Sequence, residues 1–286
     1  MRAWIWARPI SWAAEAPAMA TPDTWRGDDY ARHSSLQAAM ADEVLSLLVL
    51  RGDEQVLDVG CGDGKLTARV AALLPRGSVL GVDASPDMVD HARRQFGPPA
   101  HANLRFEVAD ARSLGLGPQF DLVLSFNTLH WVPTAEQQLQ ALAGIRDALK
   151  PQGQARLRLV TRGELASLEE TAEAVRREPP WAAAFNAFSD PYLRLDAQAY
   201  AALAAQAGLR VEGVQSALKR WDFGSDEAFF GFCHAGFGAW TRCLPPEQQD
   251  DFVRAVMQRY EALIAERFGE RHTFRFVQTD LQLARP

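Results

Sequence analysis

Cysteine is scarce in this chain, with three in 286 residues, at positions 61, 233 and 243. Their number is odd and no two are spaced C-x-x-C. This argues against a disulfide framework or a structural zinc site, and it fits a reducing, cytoplasmic compartment. Positive charge is also short. Lys and Arg number 30 against 36 Asp and Glu, a net charge of -6. A general polyanion binder is not expected, and neither is a nucleic-acid partner. No apolar run approaches the roughly 18 residues of a membrane span, so no membrane partner is expected. The first twenty residues carry arginines, tryptophans and small residues, but Arg8, Pro9, Glu15 and Pro17 interrupt any signal-peptide core. Met19 is an alternative start. Residues 1–27 are expected to be a disordered extension, with one domain over 28–286. Internal repeats and low-complexity linkers are absent.

What the chain has instead is an ordinary globular composition, 48% hydrophobic and 23% charged, on a length that supports a sizeable core. Short apolar runs alternate with helical spacing. Strands are expected at 56–60, 78–83, 104–110, 120–127 and 154–160. Helices are expected at 65–74, 85–96 (Ser85 as N-cap, Pro86 in the first turn) and 135–149. An earlier helix follows Ser34 and Ser35. This alternation implies βαβ units and a parallel sheet covered on both faces. From 163 to 196 the pattern breaks into a helical stretch over 164–178, a Pro179-Pro180-Trp181 stop and an aromatic segment. This stretch reads as a cap inserted over the sheet's C-terminal edge. A helix at 197–207 and a long strand at 209–223 follow. A second helical insertion covers 226–268, and the alternating segment 273–284 closes the sheet. The expected fold is α/β: a Rossmann-like, seven-stranded, mostly parallel sheet with helices on both faces and helical cap insertions at about 163–196 and 226–268.

The stretch VLDVGCGDGK (56–65) joins a buried-looking strand to a glycine-rich turn. Such a turn at a strand's C-terminal end lets backbone approach a ligand closely. A dinucleotide site needs glycines at first, third and sixth positions, and counting from Gly60 the sixth is Lys65. A nicotinamide oxidoreductase is therefore disfavoured. The spacing D-x-G-x-G-x-G is met by Asp58, Gly60, Gly62 and Gly64. The segment resembles the first motif of class I S-adenosylmethionine-dependent methyltransferases. That resemblance implies S-adenosyl-L-methionine as cofactor and a role for each strand end. Asp58 and the glycines would take the methionine portion. Asp83 would grip the ribose hydroxyls, with Ala84 beside it, and Met88 would lie on adenine. Asp110 and Ala111 would meet the adenine amino group and a ring nitrogen. Asn127 would stand beside the reactive methyl.

A narrower resemblance runs from about Tyr30 to the C-terminus. YARHSSLQ (30–37), SFNTLHWV (125–132) and the segment 208–233 are similar to juvenile hormone acid methyltransferases and trans-aconitate methyltransferases, which esterify free carboxylates. It implies that Gln37 and Trp131 orient the acid through an amide N–H and an indole N–H. Trp131 could instead only cover the cofactor, and Gln37 could lie at the surface. The expected substrate is a small, lipophilic or mixed-polarity organic acid, since the inserts are rich in aromatics. A carboxylate is already ionised at neutral pH and needs no base. The alternative is an O-, N- or C-methyltransferase of a natural-product intermediate with His130 as base. Arg156 and Arg158 share a strand face and are expected at a solvent-exposed edge or in salt bridges. No metal is expected, and the chain is expected to be a monomer or a homodimer.

Overall fold

The structure is a computed structural model that describes residues 35–99 and 101–286. The extension expected over 1–27 lies outside the described residues. Helix α1 (Ser35–Leu47) leads into β1 (Gln55–Val59), α2 (Lys65–Ala72), β2 (Ser78–Asp83), α3 (Pro86–Phe96), β3 (Leu104–Val108), β4 (Phe120–Phe126), α4 (Ala135–Ala148) and β5 (Leu149–Thr161). The first cap helix is α5 (Leu168–Val175), followed by α6 (Ala197–Gln206) and β6 (Arg210–Asp222). The second cap consists of α7 (Asp226–Gly236), α8 (Gly238–Thr241) and α9 (Pro246–Phe268), and β7 (Thr273–Ala284) ends the fold.

The seven strands lie in the order β3-β2-β1-β4-β5-β7-β6. Pairs β1–β2, β1–β4, β2–β3 and β4–β5 are parallel, whereas β7 runs antiparallel to β5 and β6. The strand order reverses between β1 and β4, the place where an open α/β sheet leaves a crevice for ligands. The central strands read as continuous apolar runs because both faces are covered; Val56, Leu57 and Val59 are buried. One helical layer, with α4 and α6, packs on one face, and α2 and α3 pack on the other. The caps own a third core built around Trp240, Phe229, Phe252 and Tyr260. Within it the Trp240 indole N–H donates to Glu173 at 2.9 Å, and Glu173 also accepts from the Arg176 guanidinium.

Three expectations change in detail. The helix expected at 164–178 begins only at Leu168, because Ser167 and Glu170 close a reciprocal capping box there. β7 does not end at the sheet's edge but inserts between β5 and β6, leaving β6 as the edge with Lys219 and Arg220 on it, charges that deter edge-to-edge pairing. Inserting β7 also buries the strand that carries Arg158. That arginine is not at an exposed edge but meets the other expectation, a salt bridge. It is 1% exposed and paired through Nε and Nη2 with Asp280 of β7 at 2.6 and 2.8 Å, while Nη1 lies 3.5 Å from Glu43 of α1.

Candidate active site

The crevice is built from the glycine turn outward. Gly60 has φ near +79°, and a Cβ there would sit 2.1 Å from the Thr128 side chain, which closes over the turn from the end of β4. The Gly60 and Cys61 N–H groups both donate to the Val82 carbonyl, tying the turn to β2. Gly62 is also left-handed, at φ 54°, but a Cβ there would meet nothing within 4 Å. It therefore presents bare backbone to the crevice. Gly64 serves packing: its missing side chain lets Ala92 and Phe106 approach, and it stands outside the crevice lining.

Three carboxylates stand at successive strand ends. Asp58 is buried, and the Thr67 hydroxyl donates to it at 2.7 Å. Burial, partly offset by that hydrogen bond and reinforced by Asp83, pushes its carboxyl up to about 6. Asp83 accepts from the Gly62 N–H at 3.0 Å and the Ser85 N–H at 2.9 Å. Burial still leaves it above the usual carboxylate range. An ionised carboxylate offers about four lone-pair sites, so two backbone donors leave it acceptor capacity. Asp110 differs. Against the cost of burial, the Arg112 guanidinium and N–H hold it below that range, so much of its capacity is already engaged.

These side chains share one cleft of about 1270 Å³. Asp58, Gly60, Gly62, Asp83 and Ala84 line one part of it. Met88, Asp110, Ala111, Asn127 and Trp131 line the remainder, with the cap residues Phe188 and Arg242 across from them. Asn127 has φ 55°, and its side-chain oxygen is buried without a hydrogen-bond partner among the described residues, while Nδ2 lies 3.8 Å from the Met40 sulfur. A buried acceptor at the end of β4 that no protein donor engages can accept from a donor in the cleft.

Past Asn127 a short 3-10 turn, Leu129–Trp131, aims two aromatic neighbours differently. Trp131 faces the cleft, and its ring lies 4.3 Å from that of Tyr192. His130 turns away, is 2% exposed and stacks on Tyr192 at 5.0 Å. Its Nδ1 accepts from the Val160 N–H at 3.2 Å. Burial, helped by the nearby Arg194 cation, pushes it down to about 3. It borders a smaller apolar pocket of about 120 Å³ that shares Met40, Asn127 and Trp131 with the main cleft. Gln37 falls within α1, but its side chain lies outside the described residues. Sequence reasoning missed Thr67 and Thr128, which brace the first motif; a hydroxyl on a helix or just past a strand carries no distinctive local signal.

A family model described as a methyltransferase domain matches residues 56–153, the stretch from the first motif to the fifth strand. A trans-aconitate 2-methyltransferase of Deinococcus radiodurans is 36% identical over 130 residues, 46% of this chain and 47% of that protein. One from Methylobacterium nodulans is 29% identical over 258 residues, 85% of this chain and 90% of that one. The chain spans less than half the length of several relatives it matches. Among solved structures, the Bacillus subtilis YcgJ protein aligns with a TM-score of 0.61 at 17% identity, covering 87% of this chain and 98% of that one. A Haemonchus contortus phosphoethanolamine N-methyltransferase in complex with S-adenosylhomocysteine aligns with a TM-score of 0.58 at 17% identity, covering 91% and 57%. Sheet order, glycine turn and these likenesses define the class I methyltransferase fold. Residues 56–153 match a methyltransferase domain, and the sheet around them shares the fold of these solved structures.

Proposed function

We propose that this chain is an S-adenosylmethionine-dependent methyltransferase and that it methylates the carboxylate of a small, mainly apolar or mixed-polarity organic acid. The cleft residues fit S-adenosyl-L-methionine, which supplies an electrophilic methyl group when bound. The ionised Asp58 suits the cofactor's ammonium, directly or through a water. Asp83 retains acceptor sites for the ribose hydroxyls. Met88 and Ala84 offer an apolar wall for adenine, and the Ala111 N–H suits a ring nitrogen. Asp110 serves the adenine amino group only with the capacity that Arg112 leaves. The orphaned Asn127 oxygen suits a donor on the methionine portion.

The observation that carries the acceptor reading is the state of His130. Its Nδ1 lone pair is occupied by the Val160 N–H, which leaves the proton on Nε2. Its low pKa keeps it neutral and a poor proton acceptor. The alternative with His130 as base therefore loses its base. A carboxylate acceptor needs none, because it is ionised at neutral pH. Trans-aconitate, named for two of the relatives, is itself a carboxylic acid. Arg158 lines the cleft, but Asp280 and Glu43 already balance its charge, so it is not assigned as a substrate clamp. What the site supplies is alignment. Gln37 and Trp131 hold one carboxylate oxygen through neutral donors while the other faces the methyl group, at about 3–3.5 Å in a near-attack geometry. Neutral donors avoid over-stabilising the ground-state anion.

Two results follow. Trp131→Phe keeps the ring against Tyr192 and deletes only the indole N–H. Turnover on the best acid should fall about 10- to 100-fold, toward or below the loss from one oxyanion-hole donor, with cofactor affinity unchanged. Steady-state kinetics with mass-spectrometric product detection checks this; wild-type turnover would reduce Trp131 to packing. The second concerns pH. If the ionised Asp58 holds the ammonium, S-adenosylhomocysteine affinity should be constant above about pH 6. Below that it should fall, because protonation then competes with ligand. The weakening approaches tenfold per unit, read by calorimetry across pH. Asp58→Asn should bind more weakly at neutral pH and lose the inflection.

A further inference from the structure

The small pocket behind Trp131 is apolar on nearly every side. Phe232, Phe274 and Phe276 contribute aromatic walls from α7 and β7. One wall residue is a carboxylic acid, Glu169, in the first turn of α5. Glu169 is half-buried, and a carboxyl group partly withdrawn from water beside phenylalanines is costly unless something hydrogen-bonds to it. The ordinary reasons for an acid at a helix start are already met by its neighbours. Ser167 and Glu170 form the capping box with each other, and Arg162 lies 3.7 Å from Glu170. The nearby cation, Arg194, is paired with Asp190. Among the described residues Glu169 itself forms no salt bridge. Burial raises its pKa, although the Ser167 side chain, its own N–H and the field of Arg194 all act the other way. Its buried neighbour Cys233 is also raised by burial, with Glu169 adding to the effect.

We propose that Glu169 sets acceptor specificity by accepting a hydrogen bond from a hydroxyl or amine at the end of the substrate's apolar body remote from the methylated group. This rests on the carboxylate-acceptor reading. The acid group lies by Trp131, and the body passes Met40 and Asn127 into the small pocket, which the two cavities share. At about 120 Å³ the pocket has the room of about four waters, so a short chain fills it. A second carboxylate there would face Glu169, and the nearby Arg194 is already paired with Asp190. The site therefore selects against di- and tricarboxylates and for an acid with a donor-bearing tail. A pocket built to hydrogen-bond a substrate donor discriminates against the analogue lacking it far more strongly than an apolar pocket can.

The test uses the full chain loaded with S-adenosylhomocysteine, with hexanoic acid and its ω-hydroxy and ω-amino counterparts as probes. Calorimetry should show at least one donor-bearing probe binding about tenfold or more tighter than hexanoic acid. Glu169→Leu, which fills the space with apolar atoms, should abolish or invert that preference without changing S-adenosylhomocysteine affinity. Glu169→Gln, which keeps an acceptor oxygen, should retain most of it. Equal binding of all three by the wild type, an unchanged preference in Glu169→Leu, or no binding by any probe overturns the proposal. A parallel reaction with S-adenosylmethionine locates the methyl group. Methyl on the carboxylate with no donor preference sinks the Glu169 role and leaves the carboxylate reading standing. Methyl on the tail oxygen or nitrogen puts the tail at the methyl group instead of in the small pocket, and sinks both the carboxylate reading and the Glu169 role.

Discussion

Gly60→Ala should lower stability by about 2–5 kcal/mol and abolish detectable cofactor binding. Two independent penalties add. A left-handed backbone costs an L-residue about 1–2 kcal/mol. Forcing a methyl into occupied space costs about 1–3 kcal/mol, and here the Thr128 side chain lies 2.1 Å from the new Cβ. At about 2–4 °C per kcal/mol for a chain of this size, the melting temperature should drop by roughly 4–20 °C by differential scanning calorimetry. Paired variants separate the two penalties. Thr128→Ala should not rescue Gly60→Ala, because the Thr128 Cβ remains 2.5 Å from the added methyl. Thr128→Gly should recover only the packing part. Gly62→Ala should behave differently. Its Cβ meets no protein atom, so stability falls only by the backbone term while the methyl intrudes on the cleft and weakens binding. Equal melting temperatures for Gly60→Ala and wild type would refute this account of the turn.

The second large effect concerns Asp83. Asp83→Ala should weaken S-adenosylhomocysteine binding by about 1.5–3 kcal/mol, the range for hydrogen bonds to a charged group. That is roughly 10- to 150-fold in dissociation constant. The carboxylate also organises the turn, since the Gly62 and Ser85 N–H groups donate to its two oxygens. Alanine would leave both donors unpaired, so some of the loss should appear as reduced stability of the unliganded enzyme. Asp83→Asn keeps one acceptor oxygen and most of the shape. It should keep most of the stability and lose most of the affinity. Unchanged affinity in either variant, by calorimetry, would remove Asp83 from the ribose site.

Much of the cleft proposed for the cofactor was legible because each part lies at the end of its own strand, a few residues from the pattern that reveals it. Asp58, Asp83, Asp110 and Asn127 follow four successive apolar runs. The parallel topology then brings four strand ends to one edge of the sheet, without further information. The acceptor half was less legible. Gln37 and Trp131 were named only through resemblance, and Glu169 was read as part of a helical run. It reaches the pocket because α5 is held against α9 and the aromatics of α7 and β7 close over it.

The sequence by itself determined the class of fold, the place of the crevice and the spacing that favours a methyl donor over a dinucleotide. Those features are written in local periodicity and in glycine positions within a few residues of each other. Tertiary structure alone decided the charge states and the partners. Arg158 is buried rather than exposed because Asp280, 122 residues away, is delivered by a strand that inserts between β5 and β6. Burial, with Arg194 nearby, pushes His130 down to about 3, and the Val160 N–H from the next strand meets its Nδ1. Gly64 packs against Ala92 and Phe106 instead of lining the cleft. Hydrogen-bond state and desolvation depend on which distant segments close around a residue, and no local pattern encodes that.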